Sequence, residues 1–265
     1  MVLAALAAAA SLSSCTPVRG ADRLWNSPAI RFVMVGETHG TREAPELFAD
    51  LVCEAARSRP VIVALEQDTS EQPAIDAFLR SSGDAASRSE FLKAPMWNSP
   101  LRDGRSSQAM LRLLDQLRIW KQERRIAGVV AFRAVPSFVP GADLNDLINR
   151  GMADVLGQAA TDPKALLVAY GGSTHMSLAD VSEGIHSAAG RLTRAQARTV
   201  LIDGAGSAWN CFNSQCAAHP KQSFTNLCKT AREILFSTAV PGFDAVACVG
   251  KPFTASPPAV PLPNK

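Results

Sequence analysis

Tyrosine occurs once in the 265 residues, at Tyr170, and histidine only four times. Aromatic residues make up 6% of the chain, which leaves little material for an aromatic-lined cofactor cleft. No Cys-x-x-Cys pair is present, which argues against a structural zinc knuckle or a redox motif. A Gly-x-Ser-x-Gly elbow is also missing, and Gly204-Ala205-Gly206 lacks the downstream spacing of a dinucleotide fingerprint. The net charge is only +3 and the basic residues are scattered, so the sequence carries no nucleic-acid footprint. The apolar run Val2–Ala10 is too short to cross a bilayer as a helix, which takes about 20 residues.

What is present describes a globular protein, 47% hydrophobic and 19% charged, long enough to bury one sizeable core. An apolar run followed by small residues reads as a secretory signal over residues 1–15. Its ending, Leu12-Ser13-Ser14-Cys15, resembles the bacterial lipobox, although no Lys or Arg precedes the run. That resemblance implies lipidation of Cys15 and an exported lipoprotein held to the membrane, facing the periplasm, by acyl chains. Residues 16–27 then read as a tether. In an oxidising compartment the cysteines favour disulfides. Two bridges are expected among Cys211, Cys216, Cys228 and Cys248, in any pairing, with Cys53 free and buried on a helix.

Residues 28–250 read as a single α/β domain. Short apolar runs at 30–35, 61–65, 126–132, 165–170 and 199–202 have the look of strands buried on both faces. Helical periodicity separates them at 43–58, 106–124 and 144–159, with Ser106 or Ser107 and Asp143 as N-caps. A short helix is expected at 73–79. The alternation predicts a mainly parallel sheet sandwiched by helices. Residues 81–105 read as a polar, irregular cap, 243–249 as an edge strand after a Cys-rich region, and the Pro-rich segment 251–265 as disordered.

Two stretches share one plan. Both run from an apolar strand into Gly-x-Thr-His: Gly36-Glu37-Thr38-His39 and Gly172-Ser173-Thr174-His175. If the chain stays extended past Gly36, Glu37 and His39 point to the same side, roughly 7 Å apart at their bases. Glu66 directly follows the apolar run 61–65, where a carboxylate is costly to bury without a partner. All three features fall at the C-terminal ends of strands, where open α/β sheets bind ligands. Two imidazoles and two carboxylates suit a divalent ion, zinc or manganese, or a water activated by a histidine base. Asp103-Gly104-Arg105-Ser106 precedes a helix start, so Arg105 could hold an anionic part of a substrate.

The stretch Gly36–Glu43 resembles the opening motif of erythromycin esterases, which have one more residue between Glu and His. Paired Gly-x-x-His motifs with an intervening glutamate are similar to those of the Tiki and TraB metalloprotease group. The lipobox, length and two-half layout resemble the ChaN family of haem-binding lipoproteins, usually joined with the other two in one superfamily. Over about residues 28–203 the resemblance implies an α/β sandwich of two similar halves. It also implies Glu37, His39, Glu66 and His175 as the hydrolytic or metal-binding set. Two functions stay open: a hydrolase acting on a small molecule or peptide, or a haem-binding uptake lipoprotein without turnover. The chain lacks room for the helical domain that would enclose a macrolide, and Tyr170 alone could supply the tyrosine that ligates haem iron in the ChaN family.

Overall fold

The structure, a computed structural model, describes residues 15–261 apart from 101, 135, 136, 138, 213 and 214. The signal segment expected over the residues before Cys15 lies outside that range.

Seven strands form one sheet in the order β3-β2-β4-β1-β5-β9-β8. They are β1 (Phe32–Glu37), β2 (Val61–Asp68), β3 (Gly128–Arg133), β4 (Leu166–Gly172), β5 (Ala197–Asp203), β8 (Arg232–Phe236) and β9 (Ala245–Val249). A separate antiparallel hairpin holds β6 (Gly206–Phe212) and β7 (Gln215–Lys221). All pairings in the large sheet are parallel except β8 with β9. This is the expected mainly parallel α/β architecture.

Each central strand is apolar throughout because it is covered on both faces. Along β1, Val33 and Val35 enter one cluster with Leu47, Phe48 and Leu51 of α1 (Glu43–Ala55). The same cluster takes Ile75 of α2 (Gln72–Arg80) and Leu114 and Leu117 of α5 (Gln108–Gln122). Phe32 and Met34 point the other way, to Met152 and Leu156 of α6 (Leu144–Ala159). Period-two alternation thus feeds two cores, and a one-residue slip would exchange them. Caps fall where side-chain chemistry puts them. Ser107 accepts from Met110 N–H at the start of α5, and Asp143 accepts from Asn145 and Asp146 N–H at the start of α6.

The strand order departs from the simplest βαβ reading, because β4 inserts between β1 and β2. Both Gly-x-Thr-His strands therefore lie side by side, with the Glu66 strand on the far side of β4. Residues 81–105 are more regular than their polarity implied, forming α3 (Ala85–Phe91) and α4 (Pro95–Asn98). Trp97 is fully buried there, edge-on to Phe91, rather than lining a cleft. The edge strands are β3 and β8; β9, expected at the edge, lies between β5 and β8.

Two segments expected to be loose are packed down. In the N-terminal stretch Val18, Ala21, Leu24 and Trp25 are buried, a spacing of three to four that a tether has no use for. Thr16 and Val18 N–H donate to Asp50 and Glu54 of α1. The Pro-rich segment follows the front of the domain to residue 261, with Phe253 and Ser256 buried. It bridges to Thr41, Ser107 and Gly206 through Ala255, Pro258 and Phe253. Prolines suit such a path because it is extended and makes few ladder bonds.

The disulfides are Cys211–Cys216 across the hairpin, Cys228–Cys248 onto β9, and Cys15–Cys53. The two C-terminal bridges are as expected, and the pairing is now defined. Cys53 is not free: the packed N-terminal segment brings Cys15 to it. A diacylglyceryl thioether on Cys15 would occupy the sulfur that this bond uses, so the two exclude one another.

Two outcomes follow from these contacts. Thiol titration of unfolded, unreduced protein is expected to find no free thiol and, after reduction, all six cysteines; a single unreduced thiol, at Cys53, would mean that Cys15 carries a lipid instead. Gly40 has φ of +87°, and a Cβ there would lie 1.9 Å from the Trp209 carbonyl oxygen. Gly40→Ala is expected to lower unfolding stability in urea by about 1–3 kcal/mol.

Candidate functional site

Glu37 is the last residue of β1 and sits in register with Gly172, the last of β4. On the other flank Leu65 pairs with Tyr170, so Glu66 follows beside Gly171. His39 comes from the loop after β1. His175 rides on α7 (Ser173–Met176), the short helix into which β4 runs. The four residues singled out by their pattern are thus brought to one point at the C-terminal edge of the sheet.

Glu66 lies at the centre of the group and is buried. Its Oε2 accepts the Gly172 N–H at 2.6 Å and faces His39 Nε2 at 3.7 Å. Its Oε1 faces Arg105 at 3.7 Å and His175 Nε2 at 3.9 Å. Two consecutive glycines make this approach feasible: a Cβ on Gly171 would meet Glu66 Oε2 at 2.6 Å, and one on Gly172 would meet His39 Nε2 at 3.2 Å. Glu37 engages His39 from behind, at Nδ1. Arg105 is fixed by Asp103, with contacts of 2.9 and 2.7 Å.

The imidazole of His175 is held by a residue that sequence reasoning missed. Asn149 on α6 donates its amide N–H to the Asn145 carbonyl and accepts the Ala188 N–H at its oxygen. That orients the amide, and the same oxygen lies 2.8 Å from His175 Nδ1. An oxygen acceptor there places the proton on Nδ1 and leaves the lone pair on Nε2, toward Glu66. Nothing in an amphipathic helix pattern distinguishes Asn149, although a buried asparagine on such a face implies a fixed partner.

These surroundings divide the two histidines. Burial works against the charged form of His39, but the charge and hydrogen bond of Glu37, with help from Glu66, raise its pKa well above 6.5. For His175 burial dominates, and with the positive charges of His39, Arg133 and Arg105 it outweighs Glu66 and lowers the pKa below 6.5. Burial would raise the Glu66 carboxyl. The hydrogen bond and charge of His39, with the charges of His175 and Arg105, instead pull it down to about 2.

Tyr170 is buried under the site, its ring 4.7 Å from that of Phe48. Burial and the nearby Glu37 and Glu66 charges keep its phenol protonated well past the usual range. Arg105 also borders a small cavity shared with Gln67, Asp68 and Met96. On the β5 side Asp203 caps the 223–225 turn, accepting from Ser223, Phe224 and Thr225. Lys221 is buried 3.7 Å from Asp203 and donates to the Gly204 carbonyl. Among the described residues, no group of three or more His, Cys, Asp or Glu side chains is arranged to hold a metal ion. Arg105 places a cation 3.7 Å from the shared carboxylate.

These features define a parallel α/β protein with a paired His/Glu site at the strand ends. No family model and no curated protein matches the sequence. Among solved structures, a succinoglycan biosynthesis protein superposes with a TM-score of 0.63 at 10% identity, covering 86% of this chain and 89% of its own. A mutant erythromycin esterase in its open conformation gives 0.58 at 10% identity, covering 86% and 92%. The chain shares its fold with both.

Glu66 ionises well below its ordinary value of 4.5, so it contributes stability above that pH, which is lost as pH falls toward about 2. His39, whose pKa is raised, contributes stability that is full below pH 6.5 and lost as pH rises through its folded value. In urea unfolding across pH, the wild-type advantage over Glu66→Gln is expected to shrink steadily from pH 4.5 downward. An advantage independent of pH would contradict the charged arrangement.

Proposed function

We propose that the protein is an exported hydrolase that cleaves an acyl bond by general acid–base chemistry, without a covalent intermediate on the chain. One observation carries this reading: two imidazoles face one carboxylate, and their surroundings push their pKa values in opposite directions. Such a split is how one site holds an acid and a base at the same pH.

His175, neutral and with its lone pair on Nε2, takes a proton from water. Its 3.9 Å separation from Glu66 Oε1 is too long for a direct hydrogen bond and leaves room for a water oxygen bonded to both. The hydroxide equivalent attacks the acyl carbon. His39, held as the imidazolium by Glu37, stabilises the developing oxyanion through Nε2–H and then gives that proton to the leaving oxygen or nitrogen. The proton on His175 returns to solvent, His39 takes one back from solvent, and the products are a carboxylic acid and an alcohol or amine. Glu66 keeps both rings in place and Arg105 offsets its charge. The erythromycin esterase fold supports an ester as the substrate class, and no step requires a metal.

The test is a pH profile of kcat/KM on a panel of activated esters and lactones. A bell is expected, its acid limb set by His175 below pH 6.5 and its alkaline limb by His39 above it. His175→Ala and His39→Ala should each lower kcat/KM by roughly 10²–10⁴. His175→Ala should also remove the acid limb. Full activity in both variants would sink the proposal. A Soret band on adding haem that disappears in Tyr170→Phe would favour the haem-binding reading instead.

A further inference from the structure

Six basic residues that are scattered in the sequence are gathered by the fold at the edge opposite the site. Arg57 and Arg59 lie in the loop before β2, Lys121 in the last turn of α5, Arg124 and Arg125 in the turn before β3, and Lys164 just before β4. Arg57, Arg59, Lys121, Arg124 and Arg125 line one cavity that no carboxylate enters. That cavity continues through Ser58 and Arg59 into a second, lined by Trp25, Pro163, Lys164 and Asp22. The acids on this edge are Asp22, Asp162, Glu54, whose charge acts on Arg57, and Glu123, 3.7 Å from Arg125. Arg59 donates to the carbonyls of Ile30, Lys164 and Ala165. Lys121 donates to that of Ala127. Carbonyls orient Arg59 and Lys121 without opposing their charge, whereas Arg57 and Arg125 have Glu54 and Glu123 nearby.

The described chain begins on the same edge. Arg125 reaches the sulfurs of Cys53 and Cys15 at 2.9 and 3.9 Å, so residue 15 lies against the basic face. The apolar run Val2–Ala10 ends five residues earlier in the sequence, within about 17 Å of extended chain. Whether that run or a lipid on Cys15 meets a bilayer, this edge is the one brought to it.

We infer that the N-terminal edge of the sheet docks electrostatically on a membrane surface carrying anionic phospholipid. A short apolar anchor binds a bilayer only marginally, and a basic patch supplies the second attraction that makes binding stable. The eight residues of β2 span about 26 Å from this edge to the other, so docking holds the His/Glu site away from the lipid and open to a soluble substrate. The docking and the acyl chemistry are independent, and failure of either leaves the other standing.

The full chain is tested by co-sedimentation with vesicles of phosphatidylcholine alone and with one third phosphatidylglycerol. Wild type should partition preferentially to the anionic vesicles. The preference should vanish in about 0.5 M salt, where the screening length is roughly 4 Å. The triple variant Arg57→Glu/Lys121→Glu/Arg124→Glu should lose roughly a hundredfold or more of that preference. A control with the same change in charge elsewhere, Arg80→Glu/Lys93→Glu/Lys229→Glu, should keep it. Equal loss in both variants, or no preference in wild type, would overturn the inference. Displacement by millimolar inorganic phosphate would make the face a site for soluble anions, and tighter binding to a random RNA would make it a nucleic-acid surface; either result also overturns it.

Discussion

A carboxylate buried at the end of an apolar strand is the constraint from which most of the front of this protein follows. Glu66 loses its water on folding, and an ionised carboxylate in that position needs donors and positive charge from several directions. It receives a backbone N–H from Gly172, two imidazoles and a guanidinium, each from a different segment. Those demands account for the glycines at 171 and 172, for the wedging of β4 between β1 and β2, and for the cap that delivers Arg105. Removing any one donor would leave the others arranged around an undercompensated charge.

Much of this was legible in the residues. Glu66 stands out because an apolar run precedes it, and the histidines because each follows a glycine near the end of a strand. Buried strands and amphipathic helices declare themselves through periodicity, and Ser107 and Asp143 through cap chemistry. What stayed hidden depends on long-range partners. Strand order was not readable, since equally apolar strands do not label their neighbours. Asn149 looked like any polar residue on a helix until His175 supplied a reason for it. The Cys15–Cys53 bond and the seating of residues 252–261 were obscured because a polar or proline-rich composition resembles disorder even when a few apolar residues, such as Val18, Leu24 and Phe253, anchor it.

The sheet also separates two groups of residues by direction. Its parallel strands put their C-terminal ends on one edge, with Glu37, Glu66 and the two histidines beyond them, and their preceding loops on the other, with Arg57, Arg59, Arg124 and Arg125. The small net charge of +3 gives no sign of this basic face, because acids and bases nearly cancel over the whole chain. A local excess of one charge sign therefore needs no unusual composition.

The C-terminal segment has a consequence for how the molecule is made. Residues 253–258 pin Gly206, Thr41 and Ser107, and β9 completes the sheet between β5 and β8. Thr41 and Ser107 flank the loops that carry His39 and Arg105. A chain emerging from its N-terminus onward would thus have Glu37, His39, Glu66 and His175 outside the ribosome before the strap that seats their loops had appeared. A nascent chain stalled short of that strap would hold these side chains without their finished frame.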